Sequence, residues 1–186
     1  MKFYISITLY IVMFCLSLTS FGLADYPLSF KDADDRAILF EKRPARVVSL
    51  VPSVTEIIFS INAGDAIQGV TYHDTYPSEA SLKESAGGFF SPSVERIRKM
   101  KPDVIFISDL HETVIRSYKD TECKLIRLSM KNTEELYATI RMLGRIFDRK
   151  NEAEKCITNI RTALDHTAKK ISAIPRGERK RVIRLM

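Results

Sequence analysis

The residues best suited to chemistry in this chain are its three histidines, His73, His111 and His166. His73 lies in the stretch GVTYHDTYP, Gly69–Pro77, where an apolar run ends in a tyrosine, the histidine and a carboxylate. An imidazole can act as a general base, as a metal ligand or as a hydrogen-bond partner, because it changes charge near neutral pH. Four interpretations are therefore open: a catalytic base, a metal ligand, the wall of a binding cleft, or a turn residue without a chemical role.

Catalysis is the interpretation that the sequence supports least. The chain contains no Gly-x-Ser-x-Gly elbow, His-Glu-x-x-His helix, P-loop or Gly-x-Gly-x-x-Gly turn. His73 and Asp74 are adjacent, so their side chains diverge on an extended backbone and do not form a dyad. The acidic pairs Asp34–Asp35 and Glu134–Glu135 are typical of a turn and of a helix start. We therefore expect a protein that is not an enzyme.

A metal-ion site is a closer alternative, because histidine is a common metal ligand. A closed zinc site needs three or four converging ligands. Only His73, His111 and Asp109 qualify, since His166 lies on a distant predicted helix. The sequence thus predicts no metal site and leaves His73 as a possible ligand.

The elements that must position these residues alternate along the chain. A hairpin around the turn DADDR comes first, followed by short apolar strands separated by helical patterns. This alternation predicts an α/β fold with a mostly parallel sheet and helices on both faces. The predicted strands are Arg46–Val51, Ile67–Tyr72, Ser85–Phe89, Pro102–Ser108 and Lys124–Ser129. The predicted helices are Ser53–Asn62, a helix after Ser91, Leu110–Lys119, a helix after Asn132, and Asn151–Ile171.

Helix boundaries are predicted from capping residues. The pairs Ser53–Glu56 and Asn132–Glu135 have the spacing of a capping box. Gly64 is expected to close the first helix, and Pro92 to take the first position of the second.

The termini and the composition suggest an exported chain with one domain of ordinary composition. Residues 1–24 have the charge, apolar run and small terminal residues of a secretory signal peptide; a retained membrane anchor is the alternative. The net charge of +6 is spread thinly except at Arg176–Arg181, which favours a solvated linker and no nucleic-acid partner. Cys123 and Cys156 are expected to be unpaired thiols, with a disulfide between them as the alternative.

Several stretches together resemble a known family. RVVSLVPSVTEIIFSINAGDAIQGVTYHDTYP, then GGFFSPSVERIRKMKPDVIFIS, then paired helices and a fresh strand are similar to the periplasmic binding proteins for cobalamin and iron–siderophore complexes. The resemblance implies the substrate receptor of an ABC importer, in which a helical backbone joins two lobes. It implies a periplasmic monomer without a cofactor of its own. Its partners would be a cobalamin-like or ferric-chelate ligand (siderophore or haem) and an inner-membrane permease.

The resemblance also implies a domain organisation. Residues 25–132 correspond to an N-terminal α/β ligand-binding lobe and residues 133–175 to the helical backbone. Residues 176–186 correspond to the start of a C-terminal lobe, which we expect to be truncated after its first strand, Arg181–Met186. Two alternatives remain: a zinc- or manganese-type receptor, and a lobe that acts only as an interaction module.

Ligands of open parallel sheets bind outside the carboxyl ends of the strands, where four predicted loops meet. Tyr72, Phe89 and Phe90 offer flat apolar surface and the histidines offer ring nitrogens. The resemblance implies that His73 faces the ligand and that Phe89–Phe90 supplies aromatic contacts, although the chain lacks the tryptophan of some cobalamin receptors. The predicted ligand-binding residues are Pro52, Ser53, Tyr72, His73, Phe89, Phe90, Ser108 and His111.

Glu95 is the predicted docking residue for the permease. It lies near the start of a helix, where a negative charge suits the helix dipole, and this alone explains its presence. The resemblance adds a second role, because receptors of this type carry an exposed glutamate on each lobe that pairs with permease arginines.

Overall fold

The computed structural model describes residues 26–182. The predicted signal peptide, residues 1–24, and most of the strand predicted at Arg181–Met186 lie outside the described residues. The chain opens with the expected hairpin: β1 (Leu28–Lys31) pairs antiparallel with β2 (Ala37–Phe40). The buried carboxylate of Asp32 holds its turn by accepting the backbone N–H groups of Asp34 and Arg36 at 2.9 and 3.0 Å.

The remaining strands form one parallel sheet in the order β5-β4-β3-β6-β7. The strands are β3 (Val47–Ser49), β4 (Ile67–Val70), β5 (Glu84–Ser85), β6 (Val104–Ile107) and β7 (Lys124–Arg127). The helices are α1 (Pro52–Ser60), α2 (Val94–Met100), α3 (Glu112–Tyr118), α4 (Thr133–Ile146) and α5 (Lys150–Ser172). The predicted α/β class is confirmed.

Alternating side chains bury both faces of the sheet. Val47 and Phe106 point to one face and pack with α1, α4 and the hairpin. Val48 and Ile105, one residue away in each strand, point to the other face and pack with α2 and α3. Since successive side chains of a strand point to opposite faces, continuous apolar runs are what such a doubly covered sheet requires.

Two predicted boundaries of α1 are wrong. Pro52 takes the first helical position, so Ser53 lies inside the first turn and Val51 is the N-cap, without a side-chain cap bond. At the other end, Asn62 rather than Gly64 adopts the left-handed conformation, with φ of 57°. Gly64 begins a short 3₁₀ turn, and a β-carbon there would collide with the ring of Phe59.

The predicted start of α2 is also displaced, whereas that of α4 is confirmed. Ser93, not Ser91, caps α2 by accepting the backbone N–H of Arg96 at 3.3 Å. At the start of α4, Oδ1 of Asn132 accepts the backbone N–H of Glu135 at 2.9 Å, and the side-chain amide of Asn132 donates to the Glu135 carboxylate at 2.9 Å.

The two C-terminal helices are antiparallel neighbours that differ in burial. α4 shares the core of the first sheet face through residues such as Ile140 and Leu143. α5 is 23 residues long and buries only Ala153 and Ile157 on its predicted apolar stripe, while Leu164 and Ile171 are about half exposed, at 50% and 49%. The domain boundaries predicted at residues 132 and 175 stay a prediction.

The expectation of two unpaired thiols is confirmed. Cys123 and Cys156 are both free. Burial raises the pKa of Cys123 to about 12, so this thiol stays protonated at neutral pH.

None of the helices within residues 26–182 is long and apolar enough to span a bilayer.

Candidate functional site

The four loops predicted to form a ligand site leave the same edge of the sheet. They follow the carboxyl ends of β3, β4, β5 and β6, and all these strands run parallel. The loops after β5 and β6 lie side by side, although two strands separate their origins, because both lead to helices on the same face. The architecture thus brings the predicted residues to one edge.

The turn that carries Tyr72 and His73 is clasped by a buried carboxylate. Asp74, only 3% exposed, accepts the backbone N–H of Thr71 at 3.0 Å and the Thr71 hydroxyl at 2.5 Å. The hydroxyl oxygen in turn accepts the backbone N–H of His73 at 3.3 Å. Asp74 therefore shapes the turn, and the side chains of Tyr72 and His73 are left exposed at its tip.

Tyr72 is held against a neighbouring loop through a glycine. Its ring lies over the backbone of Gly88, where a β-carbon would sit 2.7 Å from the ring carbon that bears the hydroxyl. The rings of Tyr72 and His73 are 4.4 Å apart between centroids. Even so, Tyr72 is 64% exposed, so one side of its ring is open to solvent.

Phe89 and Phe90 occupy the two corner positions of a tight turn. Gly88 and Ser91 exchange backbone hydrogen bonds of 3.2 and 3.3 Å, which closes the turn beneath them. The two phenyl rings meet edge to face at 4.9 Å between centroids. Phe89 is half-buried, whereas Phe90 is 77% exposed. We call Tyr72, His73, Phe89 and Phe90 the aromatic platform.

His111 lies beneath the aromatic platform. It is 1% exposed, and its ring meets that of Phe89 edge to face at 5.3 Å. Nδ1 accepts the backbone N–H of Ser108 at 3.0 Å, and Nε2 lies 2.8 Å from the carbonyl oxygen of Phe89. Burial lowers the pKa of His111, so the ring is neutral at pH 7. Both nitrogens are thus occupied within the chain and neither is open to a ligand.

The other predicted residues line the same edge less prominently. Pro52 is partly buried and Ser53 exposed at the start of α1, and Ser108 is partly buried after β6. Ser108 and Asp109 border a cavity of about 320 Å³ at the ends of β3, β6 and β7, which none of the aromatic platform residues lines. Its far wall is the loop after β7, Leu128 to Lys131, which sequence reasoning missed. The predicted strand Lys124–Ser129 contained the signal, because a loop at the carboxyl end of a parallel strand belongs to this edge.

A larger cavity, of about 600 Å³, lies away from this edge. It is bordered by the C-terminal half of α1, the Tyr76–Pro77 loop and Arg149. None of the predicted ligand-binding residues lines it. Within residues 26–182 there is no cluster of three or more His, Cys, Asp or Glu side chains that could hold a metal ion.

Glu95 lies in the first turn of α2, as predicted. Its side chain is 80% exposed and pairs with Lys99 one turn later at 2.9 Å. The hydrogen bond and the charge of Lys99 lower the pKa of Glu95, so the carboxylate is ionised at neutral pH.

Comparison with known proteins gives this arrangement a family. Residues 47–185 match the model of the periplasmic binding proteins. The chain is 28% identical over 162 residues to an uncharacterised ABC transporter substrate-binding lipoprotein, YvrC, of Bacillus subtilis, covering 84% of this chain and 51% of that protein. It is 25% identical over 118 residues to the vitamin B12-binding protein of Pectobacterium carotovorum, covering 62% and 43%.

Solved structures agree on the fold. A possible iron-binding periplasmic solute-binding protein from Staphylococcus epidermidis aligns with a TM-score of 0.63 and 27% identity, over 73% of this chain and 53% of that one. A periplasmic haem-binding protein from Pseudomonas aeruginosa aligns with a TM-score of 0.66 and 21% identity, over 70% and 48%. The chain spans about half the length of the curated relatives it matches. The parallel sheet, its loop-lined edge and these matches together show that the chain belongs to the periplasmic binding protein family.

Proposed function

We propose that this chain forms one wall of the ligand cleft in the substrate-binding component of an ABC importer. The ligand is a large metal chelate: a corrinoid, a haem or a ferric siderophore. The protein captures it in the periplasm and delivers it to a permease in the inner membrane. The observation that carries this proposal is the aromatic platform, exposed at the carboxyl edge of a parallel sheet.

The chemistry of the aromatic platform suits a broad, flat ligand. Tyr72 and Phe90 are 64% and 77% exposed. Covering such exposed aromatic rings with the apolar surface of a ligand is favourable, because it removes apolar area from water. Soluble proteins rarely leave contiguous apolar surface open unless it binds something. Macrocycles and aromatic chelators present such surface, whereas a bare metal ion does not.

The cavity bordered by Ser108 and Asp109, at the same edge of the sheet, adds polar and charged groups. Ser108 and Asp109 line one side, and Arg127 and Lys131 line the other. Arg127 already pairs with Asp34, but Lys131 is exposed and forms none of the ion pairs found within residues 26–182. Its ammonium group suits a carboxylate or phenolate substituent of a chelate.

The relatives support the same class of function. The named relatives are binding proteins, which fits the expectation that this chain is not an enzyme. Their names refer to vitamin B12, haem and iron, and the Bacillus subtilis relative is named as part of an ABC transporter. Vitamin B12 and haem are each a metal held in an organic ligand, which is the ligand class that we propose.

Binding of diamagnetic chelates to the full chain tests the proposal. Cyanocobalamin and a gallium-loaded siderophore would be titrated and followed by NMR, which detects millimolar as well as tight binding, with haemin followed by absorbance. We expect resonances of Tyr72 and Phe90 to shift. Affinity should be micromolar or weaker, because one wall of a cleft gives up several kcal/mol, each 1.4 of which is about tenfold.

Matched variants locate the site. Tyr72→Ala and Phe90→Ala should each weaken binding by about two- to tenfold. Leu82→Ala, at an 83% exposed position before β5, is the control and should bind normally. Binding of zinc or manganese alone, or chelate binding that both variants leave unchanged, would show that the proposal is wrong.

A further inference from the structure

The peptide unit of Phe89 is held from both sides by histidines of two different loops. On one side, Nδ1 of His73, from the loop after β4, accepts the backbone N–H of Phe89 at 3.2 Å. On the other side, Nε2 of His111, from the loop after β6, lies 2.8 Å from the carbonyl oxygen of Phe89. The two imidazoles therefore bracket the corner of the turn that carries Phe89 and Phe90.

These bonds fix which nitrogen carries the proton when each ring is neutral. His73 accepts at Nδ1, so a neutral His73 carries its proton on Nε2. His111 accepts the N–H of Ser108 at Nδ1, so its proton is also on Nε2, where it donates to Phe89. The hydrogen bonds thus define the neutral tautomer of each ring, and the second nitrogen of His111 is tied to its own loop.

The tight turn explains why this bracket is needed. The bonds between Gly88 and Ser91 use the backbone groups at the base of the turn. They leave the N–H and carbonyl of Phe89 at its corner without a partner inside the turn. A short turn whose corner groups are unpaired moves readily, and its two phenyl rings move with it.

We propose that His73 and His111 are positioning residues, which hold the Phe89 peptide and thereby aim the Phe90 ring into the ligand cleft. In this role neither histidine binds the ligand through a ring nitrogen. The inference rests on the proposed function only for its effect on ligand binding, since the hydrogen bonds can be observed without a ligand. It assigns His73 a different task from the ligand contact predicted from the sequence.

Substitution by asparagine or glutamine distinguishes the role of Nδ1 from that of Nε2 in each histidine. The amide of asparagine reaches the place of Nδ1, and that of glutamine reaches the place of Nε2. His73→Asn and His111→Gln therefore keep the bonds to Phe89. His73→Gln and His111→Asn lose them while the substituted side chain remains polar and of similar size.

The four variants give opposite expectations for positioning and for direct contact. We expect His73→Asn and His111→Gln to bind cyanocobalamin or the gallium siderophore nearly as wild type. His73→Gln and His111→Asn should bind about two- to tenfold more weakly, the span expected for one lost hydrogen bond. If His73→Gln binds normally while His73→Asn does not, Nε2 of His73 contacts the ligand and the positioning role is wrong.

Two measurements need no ligand and so separate this inference from the proposed function. Nitrogen-15 NMR, recorded at a pH where the rings are neutral, should show both as the Nε2–H tautomer. Amide exchange at Phe89 should be slow in wild type and in His73→Asn, and faster in His73→Gln. Equal exchange in all three proteins would overturn the inference even if a chelate binds. If the buried His111 variants do not fold, the exposed His73 pair still decides.

Discussion

Replacing Gly88 by alanine should separate the stability of the fold from the shape of the aromatic platform. A β-carbon at Gly88 would lie 2.7 and 3.0 Å from two ring carbons of Tyr72 and closer still to its hydroxyl oxygen. Carbon atoms in contact are about 3.5–4.0 Å apart, so the ring must move by roughly 1 Å. The backbone of Gly88 need not change, because its φ does not lie in the left-handed region.

The expected cost to folding is small. Tyr72 is 64% exposed, so its ring can turn towards solvent without leaving a buried void. Alanine also restricts the unfolded chain, which stabilises the folded state by about 0.4–1 kcal/mol and offsets the displacement. We expect the free energy of unfolding to change by less than about 0.5 kcal/mol, or about 2 °C in melting temperature.

The expected cost to binding is larger. A displaced Tyr72 loses its packing against the ligand, and an aromatic contact contributes about 1 kcal/mol, or about fivefold in affinity. Thermal unfolding by circular dichroism and ligand titration by NMR measure the two effects separately. Tyrosine labelled with carbon-13 would report the ring's displacement directly.

Two other glycines serve as controls. Gly87 has φ of +103°, and a β-carbon there would lie 2.9 Å from the backbone nitrogen of Ser93. Gly87→Ala should therefore destabilise the fold by about 1–3 kcal/mol. Gly177 has nothing within 4 Å of such a carbon, so Gly177→Ala should change neither stability nor binding. If Gly88→Ala melts as low as Gly87→Ala, or binds chelates like wild type, Gly88 does not set the position of the Tyr72 ring as described.

Three further predictions follow from other parts of the chain. Burial lowers the pKa of His111 below 6.5 despite the nearby Asp109 carboxylate, so its neutral form stabilises the fold, and this stability is lost as pH falls below about 6.5. The free energy of unfolding of His111→Gln, measured with urea, should lack this pH-dependent component; the same pH dependence in both proteins would contradict the prediction. In a complete two-lobed receptor, Glu95→Ala should leave ligand binding and melting temperature unchanged but reduce transport, and Glu95→Arg should reduce transport further. Lys99→Ala is the control, and normal transport by both Glu95 variants would show that Glu95 only stabilises the helix start. Leu164→Lys should reduce self-association measured by light scattering, since this side chain is 50% exposed, whereas an unchanged profile would show that the exposed half of α5 is not adhesive.

The sequence predicts the architecture well because its signals are local. The run Val104–Ile107 is buried throughout, and such continuous apolar strands are typical of parallel sheets. Lys124–Arg127 buries its two central residues, Leu125 and Ile126, which face opposite sides of the sheet. Topology rules then place their carboxyl ends at one edge, which locates the site before any side chain is seen. The helix starts were less reliable, because Pro52 and Ser93 displaced the caps that neighbouring serines predicted.

The roles of individual site residues depend on contacts that no local pattern contains. His111 hydrogen-bonds the carbonyl of Phe89, 22 residues away. This bond shows that the buried His111 ring holds its neighbouring loop and is not open to a ligand. The sequence could not show which phenylalanine points outward, because both corners of a turn are chemically equivalent until a neighbour covers one. The structure leaves Phe90 open and turns Phe89 towards His111.

The uneven burial of α5 gives this chain a mechanical property. The helix is 23 residues long, about 35 Å, and the Arg161 guanidinium covers the Tyr137 ring of α4 at 4.7 Å. From Arg161 to Ser172, over roughly 18 Å, every residue of α5 is exposed. Because the displacement grows with distance from the buried half of the helix, a tilt of α5 by about 5° displaces Ser172 by roughly 1.5 Å. A spin label at Ser172 would therefore report small changes in the angle between α4 and α5 as displacements large enough to measure.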